Sequence, residues 1–135
     1  MQITRQADYA LRAIYYLSTI GPGNRASTSQ IAKEQHIPPS FLAKIISQLS
    51  VAGLLHTSRG ARGGVTLARD INDVTMLDVV EAIDGPIMIN ECVENGHGCE
   101  FKDECPMQSL WEDIQKDIVS RLESTTFAKL GKQNL

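Results

Sequence analysis

The sequence predicts a mostly α-helical protein with one small β-hairpin, a winged helix-turn-helix followed by a long dimerisation helix. Three observations predict it. Three helical patterns separated by Pro and Gly fill the first part of the chain. Two strand-like runs then flank a loop of glycines and arginines at residues 59–64. A second, longer apolar stripe at the helical period begins after Pro106. With 135 residues, 42% of them hydrophobic, the chain can bury a core of its own.

The first helix is predicted over 4–19, with Thr4 as N-cap and Ala7, Ala10, Leu11, Ile14 and Leu17 on one face. Gly21, Pro22 and Gly23 stop it. Ser27 and Gln30, three residues apart, predict a capping box that opens a short second helix ending near His36. Pro38 and Pro39 suit the entry to a third helix opened by Ser40 or its neighbours. There Leu42, Ile45, Ile46 and Leu49 form the buried stripe, which leaves Ser40, Ala43, Lys44, Ser47 and Gln48 outward. An ordinary solvated face has the same pattern. So does a face that enters the major groove of DNA, where small polar groups meet base edges and phosphates.

Gly53 ends the third helix. Strands are predicted at Leu54–Ser58 and Val65–Ala68, and the loop between them, Arg59-Gly60-Ala61-Arg62-Gly63-Gly64, offers two cations and little bulk to a phosphate backbone or a minor groove. Three helices followed by a basic hairpin spell a winged helix-turn-helix far more specifically than any part alone. A fourth helix opens at Thr75, with Asp78 as its capping partner, and stops at Gly85-Pro86. Residues 87–105 are expected to be irregular. From Pro106 a helix carrying Met107, Leu110, Trp111, Ile114, Ile118 and Leu122 ends near Ser124, and its stripe predicts a homodimer able to match a palindromic operator. The remainder is a short helix or a frayed tail. This divides the chain into a DNA-binding domain (1–85), a loop (86–105) and a dimerisation helix with its tail (106–135).

Charge is split along the chain. Residues 1–70 carry eight Lys/Arg against three Asp/Glu (+5), whereas residues 71–135 carry five against thirteen (−8). A basic half facing a polyanion and an acidic half facing away suit a small protein that binds double-stranded DNA. The N-terminal segment breaks its apolar residues with Arg5, Asp8 and Arg12, and no apolar run reaches a membrane span, so a cytoplasmic, membrane-free protein is expected.

Cys92, Cys99 and Cys105 fall within fourteen positions, in a segment too polar to bury them as ordinary core. Three thiols in such a protein argue against a disulfide framework. Soft thiolates select zinc, copper(I) or iron–sulfur clusters, and the absence of a C-x(2)-C pair lowers the zinc odds. Pro106 puts Cys105 at the mouth of the long helix, where the helix dipole favours negative charge. A fourth ligand is still needed. His97 lies between two of the cysteines, and Glu91, Glu94, Glu100, Asp103 and Glu104 are nearby carboxylates.

Nearly the whole chain resembles the bacterial winged-helix regulators that include the iron–sulfur assembly regulator IscR and the nitric-oxide-sensitive repressor NsrR. The resemblance is carried by Asp8-Tyr9-Ala10-Leu11-Arg12, Lys44-Ile45-Ile46-Ser47-Gln48-Leu49, Ala52-Gly53-Leu54, Arg59-Gly60, Gly63-Gly64, the three cysteines and Leu110-Trp111. It implies a cluster held by the three cysteines and a variable fourth ligand, 4Fe-4S ahead of 2Fe-2S. IscR-like members place a histidine three positions after the third cysteine, where this chain has Gln108; NsrR-like members use an aspartate in the first helix of the partner subunit, which matches Asp8. An i,i+4 ion pair with Arg12 is the competing role for Asp8. The cysteine spacing, x(6) then x(5), departs slightly from the family's commoner x(5), x(5).

The resulting expectation is a transcriptional repressor, not an enzyme, controlled by cluster chemistry that responds to nitric oxide, redox state or iron supply. Its expected DNA contacts are Ser40, Lys44, Gln48, Arg59, Gly60 and Arg62. A DNA-binding protein with structural zinc and a small iron–sulfur electron carrier are the alternatives.

Overall fold

Local capping chemistry opens the first two helices. In the computed structural model, which describes residues 2–94, 100–101 and 104–132, α1 (Arg5–Thr19) opens with Thr4 Oγ1 accepting from the N–H of Ala7 at 3.1 Å. Its buried face is Ala7, Ala10, Ala13, Ile14 and Leu17. Helix α2 (Thr28–Gln35) is capped by Ser27, whose hydroxyl accepts from Gln30 N–H at 3.0 Å. The expected box closes only by half, because the Gln30 side chain is drawn away to donate to the Tyr16 hydroxyl at 2.8 Å. His36 ends α2 in the left-handed region, φ 53°. Pro39 then takes the first position of α3 (Pro39–Val51), and Leu42, Ile45, Ile46 and Leu49 face inward as their spacing predicts.

The hairpin is displaced by a residue from its expected limits. Leu54 N–H closes α3 by donating to Leu49 O, and Leu54 O accepts from Ala68 N–H, so β1 runs Leu55–Ser58 and β2 Gly64–Leu67. They pair antiparallel, with Leu55 opposite Leu67 and Ser58 opposite Gly64. Gly63 is fixed by space, since a Cβ there would lie 2.4 Å from Ser58 O and 2.7 Å from the Arg59 carbonyl carbon.

In the second half Thr75 and Asp78 form the full reciprocal box, both bonds at 3.0 Å, at the start of α4 (Met76–Asp84). Among the described residues of the segment expected to be irregular lies a helical turn, α5 (Glu91–Glu94). Helix α6 (Gln108–Glu123) starts two residues after Pro106, packs on α4 and α5, and buries none of its residues within the chain. Within the terminal segment, Phe127–Lys132 forms the helix α7. It is tied down by Met76 N–H to Thr125 O and Phe127 N–H to Val74 O. Phe127 is fully buried in the main core with residues of α1, α2 and α3, a burial that stabilises by about 1.5–3 kcal/mol. A smaller cluster of Leu77, Val80 and Ile87 joins α4 to Leu11 and to Ile118, Val119 and Leu122 of α6. No helix among the described residues is long and apolar enough to cross a membrane.

Candidate DNA-reading surface and thiol site

Burying the stripe of α3 puts Ser40, Ala43, Lys44 and Ser47 on its exposed side. Gln48 is half-buried, and its Oε1 is enclosed with no hydrogen-bond partner. At the wing tip Arg59, Gly60 and Arg62 are all exposed. The wing does not hang free, because Ala26 and Val65 form an antiparallel bridge and Arg25 Nη1 donates to Arg62 O. These contacts draw the wing against the start of α2, where Ser27, Thr28 and Ser29 share a cleft with Thr57 and Ser58. The sequence reading missed Arg25 and Ala26, and no local pattern marks them, since their partners lie some forty residues on.

Asp8 sits half-exposed on α1. Its Oδ2 accepts from Arg12 Nε at 3.1 Å and from Arg12 Nη2 at 2.6 Å, so the expected i,i+4 pair is present. Arg12 Nη1 donates in turn to Gln35 O at 3.0 Å, the last residue of α2. The Arg12 guanidinium also lies 5.0 Å from the centre of the Tyr9 ring, and Tyr9 is 6.2 Å from Phe41 in the first turn of α3. One cation therefore links Asp8 to both sides of the turn between α2 and α3.

Cys92 lies on α5 and Cys105 just ahead of α6; both are half-buried free thiols. The two elements pack together, and Gln115 Oε1 of α6 accepts from Ile89 N–H at 3.0 Å. Cys105 stands three positions before the first residue of α6, with its carbonyl accepting from Gln108 N–H at 3.3 Å. Gln108, in turn, directs its side-chain amide to Glu112. Cys99, His97 and Asp103 lie outside the described residues. No group of three metal-binding side chains is assembled among the described residues of the single chain. The two described thiols, Cys92 on α5 and Cys105 ahead of α6, are soft donors of the kind that thiophilic metals and iron–sulfur clusters take.

A family model described as Rrf2, iron-dependent transcriptional regulator, matches residues 3–133. A protein of Mycobacterium tuberculosis named as an HTH-type transcriptional regulator is 32% identical over 131 residues, covering 97% of this chain and 81% of its own length. Among solved structures, CymR, the global cysteine regulator of B. subtilis, superposes with a TM-score of 0.85 at 27% identity, covering 100% of this chain and 99% of its own. IscR of T. potens gives 0.77 at 26% identity, covering 100% and 89%. The fold is thus the winged helix of these regulators, and the relatives are regulators of transcription, not enzymes. The chain belongs to the Rrf2 family of DNA-binding transcriptional regulators.

Proposed function

We propose that the protein is a homodimeric cytoplasmic repressor whose cluster-loaded form binds a palindromic operator. In this reading 1–85 is the DNA-binding part, 86–105 the cluster loop, and 106–135 the dimerisation helix with its tail. Helix α3 enters the major groove with Ser40, Lys44 and Gln48, while Arg59, Gly60 and Arg62 of the wing follow the backbone. Dimerisation through α6 is supported by a 16-residue helix none of whose residues is fully buried within its own chain, with Leu110 53% exposed and Met107, its N-cap, 54% exposed.

Cys92, Cys99 and Cys105 would hold an iron–sulfur cluster, 4Fe-4S ahead of 2Fe-2S, with Asp8 of the partner subunit as fourth ligand. When bound, the group supplies iron that nitric oxide, oxidants or iron shortage can attack. The chain's own part is to hold Asp8 where its partner matters. A carboxylate shared with Arg12 is bound weakly enough to exchange, and Arg12 reaches Gln35 at the end of α2. A change at Asp8 is then felt at the turn that aims α3.

The observation that carries this reading is a pair of half-buried free thiols, Cys92 on α5 and Cys105 ahead of α6, in a chain matched to an iron-dependent family. The test is the visible spectrum of anaerobically purified protein, with iron and sulfide counted per chain, for wild type and Asp8→Ala. A brown wild type whose absorption is altered in the variant is expected. A colourless, zinc-loaded protein would leave only the DNA-binding half standing.

A further inference from the structure

In the middle of the exposed side of α3 stands a short side chain with no hydrogen-bonding group. Ala43 is exposed, three residues from exposed Ser40 and four from exposed Ser47, and lies on the side away from the buried stripe. Because Ser40 and Ser47 are short, a surface can approach Ala43 closely from their side of the helix. It also sits in the N-terminal half of α3, the part of a recognition helix that meets base edges, whereas exposed Val51 is at the far end.

In the major groove each base presents a different edge, and only thymine adds an apolar group, its C5 methyl. Set against guanine N7 and O6, adenine N7 and N6 or cytosine N4, an alanine methyl displaces water and returns no hydrogen bond. Set against the thymine methyl it removes apolar surface from water on both sides. Lys44, one residue on, has the opposite character and is suited to guanine or to phosphate.

We propose that Ala43 is a specificity-determining residue that reads one thymine in each half-site through its 5-methyl group. The inference rests on the docking of α3 in the major groove. Burial of about one methyl group predicts a loss of roughly fourfold in affinity per half-site when that methyl is removed.

The experiment uses the full-length dimer purified anaerobically and a duplex that it has itself enriched from a random pool. Each thymine is replaced singly by deoxyuridine, which deletes the methyl and nothing else. One sensitive position per half-site is expected in the wild type, and that sensitivity should vanish in Ala43→Gly while other contacts persist. Deoxyuridine tolerated everywhere, or sensitivity equal in Ala43→Gly, overturns the proposal. If Ala43→Gly does not fold, Ala43→Ser gives the same reading: its hydroxyl should shift the preferred base at that position, and an unchanged preference for thymine counts against Ala43. Lys44→Ala tests the docking itself, because normal affinity in that variant would remove α3 from the groove and so fault the underlying reading, whatever the deoxyuridine series gives.

Discussion

Ala26 and Val65 exchange two backbone hydrogen bonds, 3.1 and 2.8 Å long, across the gap between the entry to α2 and the second strand of the wing. With Arg25 held to Arg62 O, they make the wing a continuation of the helix-turn-helix. The loop must then turn tightly enough for Ser58 and Gly64 to remain opposite each other.

Gly63→Ala should break that turn. The new Cβ meets backbone atoms that cannot step aside, and overpacking of this kind costs about 1–3 kcal/mol. Operator affinity is expected to fall by roughly tenfold or more, with only a modest drop in melting temperature. A variant that binds the operator as wild type does would mean the wing tolerates another path.

Arg59→Ala tests what the wing touches. If Arg59 meets a phosphate, the slope of log affinity against log salt should become shallower by about 0.9 for each phosphate that is no longer neutralised, and all sequences should be weakened alike. Equal affinity at physiological salt, read by fluorescence anisotropy, would remove Arg59 from the interface.

The exposed Leu110 of α6 predicts the effect of a charge at that place. Leu110→Glu puts a carboxylate where two copies are proposed to meet, and taking a leucine out of such a buried seam removes about 1.5–3 kcal/mol. Sedimentation velocity should show monomers at concentrations where the wild type is dimeric. Persistence of the dimer would direct attention to another face.

Asp70 gives a prediction about pH. Its carboxylate accepts from the Asn72 backbone N–H at 2.8 Å and from the Asn72 side chain at 2.7 Å, and these bonds hold its pKa below the ordinary 3.8, against a small opposing effect of burial. The folded value is depressed, so the contribution is present above the unfolded pKa and is lost as pH falls through the folded one. Asn72→Ala removes the side-chain bond and keeps the N–H, so the Asp70 pKa should rise part of the way. Carboxyl carbon shifts followed by NMR titration report it, and identical curves would mean the amide contributes nothing.

What could be read from the sequence follows the range of each interaction. The stripe of α3 and the Thr75–Asp78 box depend on residues within a turn or two of each other, and both formed as their spacing implied. The pair Asp8–Arg12 is equally local. Gln30 failed as a capping partner because Tyr16, fourteen positions earlier, competes for the same amide. The link from Arg12 to Gln35 O depends on a backbone carbonyl, which no side-chain pattern marks. Phe127 escaped notice because a six-residue helix is too short to show a period. As for the candidate site, the wing arginines were legible from composition, whereas Arg25, which braces them, has meaning only once the hairpin has folded back.

The place of Phe127 bears on how the molecule is made. The first three helices and the wing all precede Phe127 in the chain, yet the core they share is filled only when its aromatic ring is in place. The nascent chain therefore presents its cysteine segment to the cell before its reading head has been sealed. A message truncated before Phe127 therefore yields a product with an unplugged core that cellular proteases can clear.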